Sequence, residues 1–458
     1  MSSTTAGPQL RISHVGLRGV VGHGLEASHV IDFASAFGTF LQDAGPVVIG
    51  RDPRASGVMI REGVVAALLA TGRDVIDLGV VSSPVIQHAI RRMDAAGGIS
   101  IGASHNAAEW NALKFFAARG TYLSTAEAGE LLDIYNLRKF HFVEYTALGS
   151  LRCDDTAMDR YLDELAAVFD MAALARYKVV VDCCNGTSSL ILRRMRERFG
   201  LNLILINEQI EGVSFAHEPA TNARMVGLQL APLIGPLAAD AGFLFDIDSD
   251  RVAIATDRGE AISEEIVLPI LADYLLPSGP GKLVITNLST TALLEHVAGR
   301  HGGKVIRVPV GRQATMDALA TYRPEQIAIA GEGTGAVMMP QFRFVYDGIA
   351  SMLAVLSLRH QRGEPLSRIV DSYPRYSILK GEVPLVAHHI PNLMMELQKV
   401  YSDAIVDMRD GLRAAWPDRW FHIRVSQTEP IVRVICEQKG DPPAALFEAL
   451  MDQVRSMA

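Results

Sequence analysis

Short apolar runs alternate with longer amphipathic stretches along most of this 458-residue chain, and that rhythm limits the possible folds more than any other feature. Pro46–Gly50 (PVVIG) reads as a strand. Gly57–Thr71 has helical spacing, with Val58, Val65, Leu68 and Leu69 as its apolar stripe. Asp74–Leu78 reads as the next strand, and Ile99–Ala103 as another that runs into a Ser-His-Asn turn. Strands and helices alternating in this way build βα units around a mostly parallel sheet.

The rhythm restarts after a polar stretch near residues 145–155. Tyr177–Asp182 (YKVVVD) reads as a strand, Ser188–Phe199 as a basic helix and Asn202–Ile206 as a strand. Gly242–Phe245 is a further short strand that ends in an acidic loop. A third round covers Lys282–Thr286, Thr291–Arg300, Lys304–Val308 and Ile327–Ala330. After Tyr373-Pro374 the pattern changes: strands at Tyr376–Val383, Phe421–Val425 and Ile431–Glu437 mix with helices at Ile390–Val400 and Ala444–Met457. The expected fold is α/β, with three similar mixed α/β sandwich domains and a smaller C-terminal α+β domain. The divisions fall at 1–150, 151–256, 257–372 and 373–458. At roughly 100–200 residues per domain, the length suggests about three or four domains.

Lys and Arg total 43 against 51 Asp and Glu, giving a net charge of −8. This argues against nucleic acid and anionic membrane surfaces as partners, because both attract a basic field. None of the four cysteines forms a Cys-x-x-Cys pair, so no zinc ribbon or thioredoxin-type motif is readable. The adjacent Cys183-Cys184 reads as two small core residues. The opening MSSTTAGPQLRIS lacks a charged start followed by an apolar stretch, so no signal peptide is expected. No run of about 18 apolar residues predicts a membrane span. The expectation is a protein of the reducing cytoplasm.

Four polar clusters follow apolar strands or lie between them, one in each unit. Gly102-Ala103-Ser104-His105-Asn106 places a serine at a strand end, where α/β active sites lie, and Lys114 follows ten residues later. By itself it reads equally as a polar turn. Asp246-Ile247-Asp248-Ser249-Asp250-Arg251 sets three carboxylates at alternate positions, which an extended chain would point to one side. Their repulsion calls for a cation, and all-oxygen ligands favour Mg²⁺, Mn²⁺ or Ca²⁺ over zinc. An EF-hand fails on spacing, since its glycine and glutamate positions hold Arg251 and Asp257. Gly331-Glu332-Gly333-Thr334-Gly335 offers Glu332 and Thr334 to sugar hydroxyls, although a tight βα turn accounts for it equally well. Arg424-Val425-Ser426-Gln427-Thr428-Glu429-Pro430, with Arg433 just beyond, has the guanidiniums and hydroxyls to cradle a phosphate.

In this order the clusters resemble the α-D-phosphohexomutase superfamily. Two further segments match its pattern: Val15-Gly16-Leu17-Arg18-Gly19, and Gly50-Arg51-Asp52-Pro53-Arg54-Ala55-Ser56-Gly57. The resemblance covers essentially the whole chain. Four departures stand out. Gly102 replaces a usual Thr, Ala107 a usual Pro, and Ile247 a usual Gly, while Gln427 stands where Gly or Asn is common.

The resemblance implies four domains around a central cleft and reversible transfer of phosphate between C1 and C6 of a hexose. It implies a phosphoserine at Ser104, Mg²⁺ on that phosphate and on Asp246, Asp248 and Asp250, and a hexose bisphosphate as intermediate and activator. Lys114 would be the acid/base, its pKa lowered by neighbouring arginines, with His105 orienting the serine loop or sharing the proton work. Arg18 and Arg251 would hold the moving phosphate. Glu332 and Thr334 would grip ring hydroxyls, and Arg424, Ser426, Gln427, Thr428 and Arg433 would bind the resting phosphate. Asn-Ala-Leu-Lys, Gly-Glu-Gly-Thr-Gly and Ser-Gln-Thr-Glu-Pro look closest to the phosphoglucosamine mutase branch, with glucose and mannose phosphates as alternatives. The expected state is a monomer or homodimer. Two other readings remain open. One is a Mg²⁺-dependent sugar phosphatase with Asp246 as nucleophile. The other is a silent sugar-phosphate sensor.

Overall fold

Four sheets, taken in chain order, organise the molecule. A computed structural model describes residues 10–340, 342–384, 390–426 and 431–457. The first sheet is built from β1 (Leu10–Ser13), β2 (Gly16–Val20), β3 (Val47–Arg51), β4 (Val75–Val80), β5 (Gly97–Ile101), β6 (Trp110–Ala117) and β7 (Leu151–Cys153). Its order is β1-β2-β6-β5-β3-β4-β7. The strands from β5 outwards to β7 are parallel, whereas β6 runs antiparallel to both β2 and β5. Helices α1 (Ala27–Phe40), α2 (Gly57–Ala70), α3 (Ser83–Arg92) and α4 (Thr125–Leu137) belong to this sheet.

The second region holds α5 (Ala157–Val168), α6 (Met171–Leu174), β8 (Val179–Asp182), α7 (Ser188–Phe199), β9 (Leu203–Ile206), α8 (Ala223–Gln229), α9 (Ala231–Leu237), β10 (Ala241–Phe245) and β11 (Val252–Ala255). Its sheet order is β11-β10-β8-β9. The third holds α10 (Glu264–Ser278), β12 (Leu283–Asn287), α11 (Leu293–Arg300), β13 (Lys304–Val308), α12 (Arg312–Thr321), β14 (Ile327–Gly331), β15 (Val337–Met338), α13 (Gly348–Arg362) and α14 (Leu366–Asp371), with sheet order β13-β12-β14-β15. Both sheets are parallel apart from one antiparallel edge strand, β11 in the second and β15 in the third.

The fourth sheet is antiparallel throughout. It comprises β16 (Tyr376–Pro384), β17 (Ile405–Asp407), β18 (Leu412–Ala415), β19 (Arg419–Val425) and β20 (Ile431–Lys439), accompanied by α15 (Ile390–Val400) and α16 (Ala444–Met457). Three α/β layers and an α+β unit are therefore present, as the sequence rhythm predicts.

The cores explain why the C-terminal unit stands apart. One apolar cluster runs through the first three units and includes Val48, Ile86, Tyr161, Phe243, Leu268 and Leu353. The C-terminal unit has its own cluster around Leu397, Phe421, Val434 and Leu450. A fully buried side chain of this size contributes about 1.5–3 kcal/mol, so the first three sheets are cemented to one another.

Two local expectations need correction. Val58 is not part of the buried stripe of α2 but is 53% exposed; Ile60 and Val64 join Val65 and Leu68 inside. The segment carrying Lys114, for which the sequence rhythm assigns no strand, is the interior strand β6, between β2 and β5. Cys183, Cys184 and Cys436 are buried free thiols and Cys153 is an exposed one. Among the described residues, no helix is long and apolar enough to cross a membrane.

Candidate active site

Ser104 sits on the turn after β5 in a left-handed conformation, φ 49°. A non-glycine residue holds such a conformation only where its surroundings enforce it. Here the enforcer is Arg54, which is wholly buried. Its guanidinium donates to the carbonyls of Ser104 (2.9 Å), Asn106 (2.7 Å) and Ala107. Asp52 pairs with Arg54 at 2.9 Å and accepts from the Ala103 N–H at 3.2 Å. Gly102 makes this packing possible, because a Cβ there would lie 2.5 Å from Asp52 Oδ2. Arg54 is covered from the second unit by the Phe215 ring, 4.9 Å away.

The Ser104 hydroxyl donates to Asp246 Oδ2 at 2.6 Å. Asp246, Asp248 and Asp250 are all buried, and each offers a carboxylate oxygen within 4.8 Å of the others. The chain does not bring them together by extended alternation, as the spacing suggested. The segment after β10 is a turn, with Ser249 at φ 60° and the Arg251 N–H donating back to Asp246 Oδ1 at 3.2 Å. Helix α3 braces the loop, where Ser83 donates its hydroxyl to Asp248 Oδ2 at 2.8 Å. Among the described residues, Asp248 Oδ1 is buried without a hydrogen-bond partner. Converging hard oxygen donors with an unsatisfied lone pair fit a divalent cation such as Mg²⁺.

Basic groups surround this acid cluster. Lys114 reaches in from β6 to bond Asp248 and lies 3.6 Å from Asp250. Its environment reverses the expectation of a lowered pKa. Burial alone would pull the ammonium down, but Asp248, Tyr122 and Asp250 together outweigh it and hold Lys114 above the ordinary lysine value. Arg18 donates to Asn106 at 2.8 Å, and burial together with Arg312 and Arg251 brings it down to about 10. His105 Nδ1 lies 3.5 Å from the Ser104 oxygen. Arg251, burial and Arg18 push the imidazole down to about 2, so it is neutral. Within the acid triad, burial and then Asp250 and Asp248 push Asp246 well up. Asp250 is held low because Arg312, Lys114 and Arg251 outweigh its burial.

The sugar and phosphate candidates line a separate cavity of about 290 Å³ between the third and fourth sheets, at the small end for ligand pockets. Glu332 and Thr334 face it from the loop after β14, and Arg424, Ser426 and Arg433 from β19 and β20. Thr334 Oγ1 is buried with no hydrogen-bond partner among the described residues. Arg424 and Arg433 are direct cross-strand partners, and like charges so placed are unfavourable without an anion. Each is held by an acid: Arg424 by Asp410 at 2.9 Å, Arg433 by Glu382 at 3.2 Å. Gln427 and Thr428 lie outside the described residues.

Arg312, which sequence reasoning missed, ties the two halves together. It pairs with Asp250 at 3.0 Å and bonds the Tyr122 hydroxyl. Its guanidinium also lies 5.1 Å from the Tyr346 ring, and Tyr346 in turn donates to Glu332 at 3.3 Å. The available signal was Val310-Gly311-Arg312 at the junction of β13 and α12. Ser83 carried none.

The models of phosphoglucomutase/phosphomannomutase α/β/α domains I, II and III match residues 12–141, 159–259 and 263–376. A phosphoglucomutase/phosphomannomutase of Thermococcus kodakarensis is 30% identical, with 94% of each chain covered. A protein named probable phosphoglucosamine mutase from the same organism is 32% identical over the same shares. The crystal structure of a phosphoglucomutase/phosphomannomutase family protein from Burkholderia thailandensis superposes with TM-score 0.83 at 25% identity, covering 98% of this chain and 97% of that one. With all three domain models matched in order and relatives aligned over nearly its full length, the chain belongs to the phosphoglucomutase/phosphomannomutase family.

Proposed function

We propose that this protein is a phosphohexomutase that moves phosphate reversibly between C6 and C1 of a hexose phosphate through a phosphoserine at Ser104 and a bound hexose bisphosphate. The observation that carries the reading is the Ser104 hydroxyl, held 2.6 Å from Asp246 at the edge of three buried carboxylates. Mg²⁺ on Asp246, Asp248, Asp250 and the seryl phosphate would neutralise charge on the moving phosphoryl group.

The chain's own groups then have separable tasks. Arg424, Ser426 and Arg433, with Gln427 and Thr428, take the phosphate that is not reacting. Glu332 and Thr334 bind two ring hydroxyls, which lets the sugar be held in either of two orientations. The free sugar hydroxyl attacks phosphorus and the Ser104 oxygen leaves, giving the bisphosphate. After the sugar turns over, Ser104 takes back the other phosphate. Arg18, Arg251 and Arg312 balance the phosphoryl oxygens. His105, neutral and 3.5 Å from the Ser104 oxygen, would take up the sugar hydroxyl's proton, and Lys114 would balance charge on the phosphoryl group. A loose phosphoryl transition state asks for charge balance more than for a strong base, which suits an ammonium kept charged.

The preferred sugar in this reading is glucosamine phosphate, supported by relatives named phosphoglucosamine mutase at 32% identity. Glucose and mannose phosphates are the alternative, favoured by the relative named phosphoglucomutase/phosphomannomutase. The test is turnover of glucosamine, glucose and mannose 6-phosphates, each with a catalytic amount of the matching bisphosphate. Glucosamine phosphate should give the highest kcat/KM. A higher value for either other sugar overturns the assignment of the sugar, and conversion of none overturns the mutase.

A further inference from the structure

The C-terminal unit has its own core, and polar ties also fasten it to the third unit: Lys380 to Glu265 at 2.7 Å, the Ala292 N–H to Glu437 at 2.7 Å and Arg413 to the Leu288 carbonyl at 2.9 Å. A further set of ties, beside the cavity, meets at one residue. Asp410 lies between β17 and β18, and its Oδ2 accepts two hydrogen bonds. One comes from Arg424 Nε on its own sheet and one from the Val310 N–H of the third unit, each at 2.9 Å. Its backbone carbonyl accepts from His422 Nε2 at 2.6 Å. A carbonyl cannot donate, so His422 carries its proton on Nε2, and its Nδ1 accepts from the Ser289 hydroxyl at 2.8 Å. Ser289, Val310 and Arg424 all line the cavity. The turn is built for this: Gly411 has φ 76°, and a Cβ there would sit 2.2 Å from the Ile423 carbonyl. Val310 is followed by Gly311 and Arg312, and Arg312 reaches Asp250 at 3.0 Å.

We propose that Asp410 is a positioning residue: it clasps the C-terminal unit to the third unit and couples the phosphate-binding Arg424 to Arg312 beside the acid cluster. The inference rests on the mutase reading above. When a sugar phosphate seats on Arg424, the carboxylate that aims this guanidinium also holds the Val310 N–H, two residues before Arg312 opens α12. Binding at one end of the substrate thereby stiffens the other end, and the clasped C-terminal unit retains the bisphosphate while it turns over. Asp410 touches neither substrate nor reacting atoms in this scheme.

The test is Asp410→Asn, which keeps the side-chain volume and one acceptor but removes the charge. Two readings are taken beside wild type: the KM for the hexose 6-phosphate, and the free bisphosphate released per product formed, followed by phosphorus NMR. A charge-assisted hydrogen bond of this kind is worth roughly a tenfold change or more. The expected result is a KM raised about tenfold or more, a clear rise in escaped bisphosphate, and a thermal midpoint close to wild type. A variant that only lost folded protein would lower the apparent kcat and leave both readings unchanged. Normal KM and normal retention in Asp410→Asn overturn the inference. Should that variant not fold, Asp410→Glu, which keeps the charge but displaces it by a methylene, is read in the same way. If wild type itself makes no isomer, the mutase reading fails, and this inference fails with it.

Discussion

Ser104 and Asp246 stand 142 residues apart in the chain, yet the serine hydroxyl donates to the carboxylate at 2.6 Å. The serine loop of the first sheet and the acid cluster of the second thus meet directly. Replacing Ser104 with alanine should abolish isomerisation and remove the covalent phosphate from the intact mass. Sugar-phosphate affinity, read by calorimetry, should remain near wild type, because the cavity residues are untouched.

Arg312 is predicted to matter as much as the motif residues. Arg312→Gln removes a guanidinium that pairs with Asp250 at 3.0 Å and would face the moving phosphate. Loss of one preorganised donor of this type costs roughly 10²-fold in kcat. Steady-state kinetics should show that loss with KM changed by less than about threefold, since the resting phosphate sits on Arg424 and Arg433.

Arg54 acts through the backbone of the serine loop. Arg54→Gln would leave Asp52 buried without its cation and three carbonyls with too few donors. Breaking a buried pair from one side costs about 3–5 kcal/mol. The thermal midpoint should fall by several degrees, and Ser104 phosphorylation should become slow.

The acid cluster predicts a metal effect on stability as well as on rate. Chelation should stop turnover and lower the thermal midpoint, and Mg²⁺ should restore both. At 100 times its Kd, a bound ion stabilises the fold by about 2.7 kcal/mol. Asp248→Asn should lose most of that Mg²⁺-dependent shift.

His217 anchors the loop that covers Arg54. Its Nε2 meets Asp182 at 3.0 Å, and the hydrogen bond and charge of Asp182 outweigh burial to raise the imidazole above its ordinary value. A group raised on folding contributes stability that is fully present below its unfolded value, about 6.5, and is lost as pH rises through the folded value. The gap in thermal midpoint between wild type and His217→Gln should be wider at pH 5.5 than at pH 8.5.

Much of this was readable in the sequence for physical reasons. Strands such as Val179–Asp182 are fully buried, so their apolar runs are unbroken. The carboxylates of 246, 248 and 250 are close in sequence, so spacing alone exposed the cluster, although a turn rather than an extended segment brings them together. What the spacing could not show was convergence between distant segments. Ser83 meets Asp248 across 165 positions and Arg312 meets Asp250 across 62, and neither pairing has a local pattern. The protonation of Lys114 was misjudged for the same reason: the chain order suggested arginine neighbours, and the fold supplies Asp248.

The central claim is that Ser104, rather than Asp246, carries the phosphate. The most direct measurement is peptide mapping of the phosphorylated enzyme during turnover of hexose 6-phosphate, with phosphorus NMR of the products. The account predicts phosphate on Ser104, hexose 1-phosphate accumulating and no inorganic phosphate. Phosphate on Asp246, or none on Ser104 with inorganic phosphate released, would contradict it.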